Sequence, residues 1–343
     1  MSFKYIQELP SPAEIQSEIP MPEELKKLKA ARDRSISAVL TGKSEKFLLI
    51  IGPCSADNEE AVCEYVSRLA KVNENVKDRL ILIPRVYTNK PRTTGEGYKG
   101  IASQPDPEGK TDPRAGLIAM RRMHIHAIAV SGLTPADEML YPDNWGYVED
   151  ILSYVAIGAR SVEDQQHRLT VSGFDVAAGM KNPTSGDLSV MLNSVYAAQH
   201  PHGFVHRGWA VETTGNPLAH TVLRGSVNAY GRSFPNYHYE DLFHLYELYE
   251  ERNLVNPACV VDTNHNNSGK QFRQQIRIAN EVLRSRQQSP EIHSLVKGLM
   301  IESYLAEGCQ KIGEGHTYGK SITDPCLGWE DTERLIYDIA EHC

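Results

Sequence analysis

FLLIIGPCS, residues 47–55, is the stretch that decides the fold, because a wholly apolar run ends there in a glycine, a proline and a thiol. Strands that are buried on both faces, as in parallel sheets, are continuous apolar runs of this kind. The same pattern recurs along the chain, at Leu80–Arg85, Ala127–Val130 (leading on to Glu138), Val155–Arg160, Val176–Lys181, Thr221–Arg224, Cys259–Thr263 and Gly298–Glu302. Together these runs predict eight parallel strands.

Helical patterns separate most of these runs, at Glu59–Asn75, Glu149–Tyr154, Leu188–Gln199, Glu240–Arg252 and Gln271–Arg286. Strands that alternate with helices in this way predict an α/β fold, a closed (β/α)8 TIM barrel. Residues 203–216 (GFVHRGWAVETTGN) add strand-like signal and Gly-Asn turn chemistry, which predicts a β-hairpin inserted before the sixth strand.

The domain organisation follows from the length of 343 residues, since a single barrel takes about 250 and leaves room for additions. Residues 1–44 are predicted to be an N-terminal extension. It has an extended, proline-rich arm to residue 21 and then a helix that Pro22 opens and Gly42 stops. We expect its apolar face to pack on a neighbouring subunit or on its own barrel. Residues 45–343 are predicted to be the catalytic barrel.

Composition excludes several classes of protein. Hydrophobic residues make up 41% and charged residues 23%, as in ordinary globular chains. With 36 basic and 44 acidic residues, a net charge of −8 and no long basic run, we expect no nucleic-acid partner. No apolar run approaches the ~20 residues of a membrane span. The N-terminus lacks a secretory pattern and the six cysteines form no CxxC pair, so we expect a cytoplasmic protein.

Chemically capable side chains stand at or just after the predicted strand ends. In a parallel barrel all the carboxyl ends of the strands meet on one face, which carries the active site. Any one charged residue at a strand end is more often there for solvation, so only the conjunction is informative. These residues are Cys54, Arg85, Lys90, Arg92, Glu138, Arg160, Lys181, Arg224, His265, Glu302 and, in the last loop, Asp324.

Four of these side chains suit a metal ion, because Cys54, His265, Glu302 and Asp324 offer sulfur, nitrogen and two carboxylates. The thiol argues against Mg²⁺ and favours one divalent ion among Mn²⁺, Fe²⁺, Co²⁺ and Zn²⁺. The cationic residues suggest several anionic groups, for instance two phosphates and a carboxylate. The residues thus predict a barrel enzyme with a Lewis-acid metal, acting on small phosphorylated and carboxylated substrates.

A set of motifs in order carries a family resemblance: IGPCS (51–55), KPRTT (90–94), GAR (158–160), QHR (166–168), LRG (223–225), NSGKQ (267–271), MIES (300–303) and YGKSITD (318–324). From about residue 45 to 335 the chain closely resembles the class I 3-deoxy-D-arabino-heptulosonate-7-phosphate (DAHP) synthases. The extension before residue 45 also suits that family, where it helps to build the oligomer and its regulation.

The resemblance implies the condensation of phosphoenolpyruvate (PEP) with D-erythrose 4-phosphate to DAHP and phosphate, the first step of the shikimate pathway to aromatic amino acids. It implies that Cys54, His265, Glu302 and Asp324 are the metal ligands, and that Arg85, Lys181, Arg160 and Arg224 bind PEP, the last two at its phosphate. It places Lys90 between the substrates, Arg92 and Thr93 at the phosphate of erythrose 4-phosphate, and Glu138 near the reacting atoms. Lys90, Cys54, His265 and Glu138 would form the catalytic set, with Lys181 as a carboxylate partner rather than a Schiff-base lysine.

The resemblance also implies a homodimer or homotetramer and a possible aromatic amino acid inhibitor. Departures from the family pattern occur in residues 95–100 (one residue longer), 181–186, 264–267 and the longer loop 226–234, and Asp137 stands where glycine is common. None removes a predicted metal ligand. Two rival hypotheses remain: a PEP aldolase for another aldose phosphate, such as arabinose 5-phosphate, and a non-catalytic regulator that binds metabolites.

Overall fold

A computed structural model describes residues 2–313 and 315–343 as a parallel barrel with additions. The eight barrel strands are β1 (Phe47–Gly52), β2 (Leu80–Pro84), β3 (Ala136–Glu138), β4 (Tyr154–Ile157), β5 (Ala177–Lys181), β6 (Ala219–Leu223), β7 (Cys259–Asp262) and β8 (Val296–Glu302). They pair in the order β2-β1-β8-β7-β6-β5-β4-β3, all in parallel. A parallel bridge between Arg85 and Ala136 joins the two end strands and closes the ring. The predicted (β/α)8 barrel is confirmed.

Helices cover the outside of the ring between the strands. They are α1 (Pro12–Glu18), α2 (Glu23–Leu40), α3 (Glu59–Val76), α4 (Pro113–Ser131), α5 (Gln165–Val171), α6 (Leu188–Gln199), α7 (Tyr239–Arg252), α8 (Gln274–Gln288), α9 (Pro290–Leu295) and α10 (Trp329–His342). A 3₁₀-helix occupies Pro142–Tyr147. None of the helices in these described residues combines the length and apolar character needed to cross a bilayer.

Three local predictions are wrong. Ala127–Val130 is not a strand but the last part of α4, whose start is capped by the Asp112 side chain and whose end is Gly132 at a φ of 67°; the third strand is Ala136–Glu138. A short apolar run cannot by itself be distinguished from a buried helix segment. Glu149–Tyr154 is a turn that leads into β4, not a helix.

The third error concerns the N-terminal arm, which is not extended throughout. Pro12–Glu18 is helical because Ser11 and Glu14 form a capping box ahead of it. Its one buried side chain, Ile15, joins the outer core of the barrel. The arm is therefore fixed to the barrel from Ser11 onwards.

The predicted hairpin is confirmed: Gly203–His206 pairs antiparallel with Trp209–Glu212, between α6 and β6. The turn lies at Arg207 and Gly208, both with positive φ (50° and 79°), as a two-residue turn that matches the twist of the strands requires. Gly215, whose Gly-Asn signal suggested the turn, instead leads the chain out of the hairpin. Trp209 projects into solvent with 75% of its surface exposed.

The barrel interior forms its own apolar cluster, and α2 completes it. Ile36, Val39 and Leu40 of α2 join residues of the strand starts such as Leu48 and Ile81. Arg32 of α2 also donates a hydrogen bond to the carbonyl of Leu82 inside the ring. Helix α2 thus covers the end at which the strands begin, and the end at which they finish is left open for a site.

Candidate active site

A cavity of about 510 Å³ opens at the carboxyl ends of the strands. It is lined by almost all the residues predicted for the site, namely Cys54, Arg85, Lys90, Arg92, Glu138, Arg160, Lys181, Arg224, His265 and Asp324. Glu302 lies buried beneath it, 2.7 Å from the Arg85 guanidinium. Thr93 is exposed and does not line the cavity. Residues far apart in the chain meet here because each follows a parallel strand.

Lys90 lies between a thiol and a carboxylate. Its Nζ is 2.8 Å from Cys54 Sγ and 2.9 Å from Asp324 Oδ2, and the latter two atoms are 3.4 Å apart. Burial, with the charge of Glu302 nearby, raises the pKa of the Cys54 thiol to about 11. Burial opposes ionisation of the Asp324 carboxyl, but the Lys90 ammonium outweighs it and holds that pKa well below its usual range. The thiol is therefore protonated and the carboxylate charged near neutral pH.

Glu302, the last residue of β8, lies among three side chains from the segments that follow β2 and β7. Arg85 donates to its Oε1 at 2.7 Å, Asn264 donates to its Oε2, and His265 Nε2 lies 3.9 Å from Oε1. Although burial alone would raise it, the pKa of Glu302 is lowered, with the Arg85 guanidinium as the largest favourable cause. The Arg85 guanidinium also stacks on the Tyr87 ring at 3.9 Å. One guanidinium nitrogen, Nη1, is buried and has no hydrogen-bond partner in the part of the chain that the structure describes.

Asp262 connects the lysine and the histidine of the site. Its Oδ2 lies 3.4 Å from Lys181 Nζ and 2.8 Å from His265 Nδ1. Lys181 Nζ is also 4.0 Å from Glu138 Oε2. Burial alone would raise the Asp262 pKa, but His265 and Lys181 outweigh it and hold it far below its usual range. Asp262 therefore stays ionised and orients both side chains.

The arginines occupy different depths. Arg224 is buried, donates to Asn266 Oδ1 at 2.8 Å, and has its pKa lowered by burial. Arg160 stands exposed at the rim. Arg92 donates from Nε to the Tyr98 carbonyl at 2.8 Å, which leaves its terminal nitrogens free to face the cavity. Phosphate or carboxylate groups are the natural partners of such spaced guanidinium forks.

The donor atoms of the predicted metal ligands fit a first-row transition ion in kind. They lie in two pairs, Cys54 with Asp324 and His265 with Glu302. As they stand, no three His, Cys, Asp or Glu side chains in residues 2–313 and 315–343 are gathered closely enough to hold an ion. The Lys90 ammonium lies against one pair and the Arg85 guanidinium against the other.

Sequence reasoning missed several residues of the site. Asp262 lies within the predicted strand run Cys259–Thr263, and an acidic residue in an apolar run is the signal that could have identified it. Lys270, at a positive φ of 62°, lies 3.9 Å from Asp324 and lines the cavity. The loop after β6 adds Val227, Gly231 and Ser233 to the wall. Nothing in the strand pattern indicates that this loop folds over the cavity.

Comparisons with known proteins agree with this geometry. Residues 20–336 match the model of the DAHP synthetase I family. The chain is 38% identical over 319 residues to the Trp-sensitive phospho-2-dehydro-3-deoxyheptonate aldolase of Enterobacter agglomerans, covering 91% of this chain and 88% of that one. It is 37% identical over 349 residues to the Phe-sensitive enzyme of Escherichia coli K12, covering 99% and 96%.

A solved structure gives the same result at the level of the fold. The phospho-2-dehydro-3-deoxyheptonate aldolase of Francisella tularensis SCHU S4 superposes with a TM-score of 0.92 at 29% identity. The match covers 99% of this chain and 98% of that one. The likeness thus extends over the extension and the inserted hairpin as well as the barrel.

Proposed function

Since the chain belongs to the DAHP synthetase I family, it is a DAHP synthase of aromatic amino acid biosynthesis, and we propose that it joins PEP to D-erythrose 4-phosphate with one divalent metal ion. The observation that carries this proposal is the cavity at the strand ends, which gathers guanidinium and ammonium groups beside a thiol, an imidazole and carboxylates. Two phosphorylated reactants need such charge, and a carbonyl to be attacked needs an electrophile beside it. The non-catalytic rival has no support, because the named relatives are enzymes.

The PEP half of the cavity is proposed to lie around Arg85, Lys181, Arg160 and Arg224. Arg85 and Lys181 would bind the carboxylate, since both are buried and are held by Glu302 and Asp262 beneath them. Arg160 and Arg224 would take the phosphate in a bidentate manner. Arg85, Lys181 and Arg224 are held in place by neighbouring side chains before substrate arrives, which reduces the entropy lost on binding.

The erythrose 4-phosphate half is proposed to lie around Lys90 and Arg92. The Arg92 guanidinium is anchored through Nε and can bind a phosphate with its remaining nitrogens. Thr93 is proposed to reach the same phosphate through a movement of the loop after Lys90, because its side chain is exposed and does not line the cavity. Lys90 would donate a proton or a hydrogen bond to the aldehyde oxygen of the sugar.

The metal ion is proposed to bind Cys54, His265, Glu302 and Asp324, and the thiol favours Mn²⁺, Fe²⁺, Co²⁺ or Zn²⁺ over Mg²⁺. When bound, such an ion supplies Lewis-acid polarisation of a carbonyl. Cys54 must lose its proton to become a ligand, and Lys90 must move from its position between Cys54 and Asp324. Asp262 would hold the His265 ring through Nδ1 and leave Nε2 to face the ion.

The proposed reaction forms one carbon–carbon bond and breaks one carbon–oxygen bond. C3 of PEP attacks the aldehyde carbon of erythrose 4-phosphate, and the aldehyde oxygen takes a proton from the Lys90 ammonium. Water then adds at C2 of the PEP unit, and phosphate leaves by cleavage of the C2–O bond, giving DAHP. Glu138, 4.0 Å from Lys181 Nζ, is proposed to accept the proton of that water.

Purified protein with Mn²⁺ should consume PEP only when erythrose 4-phosphate is present, with phosphate released in equal amount. Turnover that persists after thorough chelation would contradict the metal-dependent mechanism. The same assay with arabinose 5-phosphate in place of erythrose 4-phosphate distinguishes the rival aldolase from the proposed enzyme. A faster rate with the five-carbon sugar would show that erythrose 4-phosphate is not the preferred substrate.

Other properties are proposed on the same basis. Relatives are named Trp-, Phe- and Tyr-sensitive, and we propose that an aromatic amino acid inhibits this enzyme too; rates with each amino acid in turn test it. We propose residues 1–44 as the extension that builds a homodimer or homotetramer, and residues 45–343 as the catalytic unit. All six cysteines are free, as a reducing cytoplasm favours.

A further inference from the structure

The backbone pairing of the barrel is at its shortest between β2 and β3. Strand β3 has three residues, and among the described residues its backbone pairs with the chain that follows β2 only at the bridge between Arg85 and Ala136. That bridge includes the backbone hydrogen bond from Val86 N–H to the Ala136 carbonyl, at 2.9 Å. Beyond it, the chain after β2 leads to Lys90 and β3 ends at Glu138, and both side chains line the cavity. Backbone pairing alone therefore does little to fix these two groups relative to each other.

The Asp137 side chain supplies the missing connection. Its Oδ1 accepts the backbone N–H of Thr88 at 2.9 Å and that of Glu138 at 2.7 Å. Its Oδ2 accepts the Thr88 hydroxyl and lies 3.1 Å from His124 Nε2. Asp137 is 3% exposed and Thr88 is fully buried, so these bonds are shielded from water. A glycine at this position could make none of the side-chain bonds.

His124 of α4 holds the carboxylate from the other side. Its ring is fully buried and its Nδ1 has no hydrogen-bond partner among the described residues. In the tautomer that carries its hydrogen on Nε2, the ring donates to Asp137, and no N–H group of this cluster is left without a partner. The Asp137 carboxylate therefore has all its favourable partners in place, and it does not line the main cavity.

We infer that Asp137 is a positioning residue for the proposed reaction. Its carboxylate ties the backbone of Thr88, two residues before Lys90, to the end of β3 that carries Glu138. The spacing between the Lys90 ammonium and the Glu138 carboxylate is thereby set across the part of the barrel where the backbone pairing is shortest. This inference rests on the proposed function, since it assigns Asp137 to the geometry of that site.

Removal of the Asp137 carboxylate affects the half of the cavity that is proposed to bind erythrose 4-phosphate. Lys181 and Arg224, proposed for PEP, are held by Asp262 and by Asn266, which Asp137 does not contact. The segment from Thr88 to Lys90 keeps its bonds to the Ala102 N–H and to the Lys99 carbonyl but loses its connection to β3. A misplacement of about 1 Å relative to Glu138 costs on the order of 100-fold in rate. The effect therefore falls on turnover and on the aldose, not on PEP binding.

The test compares Asp137→Ala with Asp137→Asn. The asparagine Oδ1 still accepts both backbone N–H groups, and its amide can donate to the other tautomer of His124. We expect Asp137→Ala to lower kcat by about 10- to 100-fold and to raise KM for erythrose 4-phosphate, with the Kd for PEP within about twofold. Asp137→Asn should recover most of kcat. Amide hydrogen exchange at Thr88 should be faster in the alanine variant only.

Asp150→Asn is the matched control. Asp150 also pairs with a side chain of α4, the buried Arg121, at 2.7 and 2.8 Å, but unlike Asp137 it makes no side-chain bond to Thr88 or Glu138. We expect this variant to lower Tm and leave kcat unchanged. Wild-type kinetics and exchange in Asp137→Ala would overturn the inference, as would equal losses of kcat and PEP affinity in Asp137→Ala and Asp137→Asn. Failure of the proposed function is recognised separately, because the unsubstituted protein would then not consume PEP with erythrose 4-phosphate.

Discussion

At the scale of single residues, the Lys90 ammonium contacts two acidic groups that differ in protonation, the Cys54 thiol and the Asp324 carboxylate. Cys54 is held protonated by burial, while Asp324 is held ionised by the same lysine. A proposed electrophile and two proposed metal ligands thus form one contact cluster, so a change in one of them is felt by the others.

Cys54→Ala tests the proposed metal ligand. Loss of the sulfur should lower kcat by about 100-fold or more, because Lewis-acid stabilisation contributes several kcal/mol to the transition state. PEP binding should remain measurable by calorimetry, since the cationic groups are untouched. An unchanged rate would defeat the assignment of Cys54.

Asp262→Asn tests a residue that the sequence did not reveal. The variant leaves the Lys181 ammonium and the His265 ring without the carboxylate that orients both, so we expect kcat to fall about tenfold or more. Steady-state kinetics measure the loss. Asp175→Asn, an exposed carboxylate before β5, serves as the control and should behave as the unsubstituted enzyme.

The positions of Cys54, Arg85 and His265 were predictable because parallel strands bring their carboxyl ends to one face whatever the loops between them do. The contacts that orient those side chains were not. Asp262 and Asn264 contact side chains that belong to other strands, and the spacing of residues along the chain does not encode the distances between strands. Their partners emerge only when the ring has closed.

At the scale of elements, the same contrast separates strands from helices. Buried parallel strands such as β1 are wholly apolar and stand out in the sequence. The segment at Ala127–Val130 has the same composition but belongs to α4, since the signals that decide it, the Asp112 cap and Gly132, lie at the helix ends. Local composition identified the apolar run, and only the caps identified its type.

Helix α2 offers a test at this scale, because it seals the end of the barrel opposite the cavity. Ile36→Ala should lower the free energy of unfolding by about 2–4 kcal/mol, since the buried side chain leaves a void among inward-facing strand residues. Urea denaturation measures the loss, and kcat should not change at 25 °C. Lys27→Ala, on the exposed face of the same helix, should leave both the free energy of unfolding and kcat unchanged. A fall in kcat alone, with stability unchanged, would contradict the sealing role.

At the scale of the whole molecule, charge is distributed unevenly. The net charge is −8, yet the cavity concentrates cationic side chains. Composition alone could argue only against nucleic acid; the local excess of cationic side chains follows from the fold.

The barrel interior carries a further titratable group, His220, whose ring bonds to the Tyr154 hydroxyl and to the Leu218 carbonyl.

Burial lowers the pKa of His220 to about 4, below the value of about 6.5 for an unfolded histidine. Above pH 6.5 both states are neutral and this contribution to stability is complete. As the pH falls from 6.5 towards 4, the unfolded chain binds a proton that the folded one does not, so the free energy of unfolding should drop by up to about 3 kcal/mol. Denaturation across this range should show a shallower pH slope for His220→Gln than for the unsubstituted protein. Parallel slopes would show that His220 does not carry the effect.

The inserted hairpin provides an optical consequence. The chain has three tryptophans; Trp145 stacks on Phe174 in the core, and Trp329 packs against Tyr65. Trp209, at the hairpin tip, is the one in open water. A collisional quencher such as iodide should therefore extinguish the red part of the emission first, and any partner or ligand that covers the hairpin would be detected as protection from quenching, without a label.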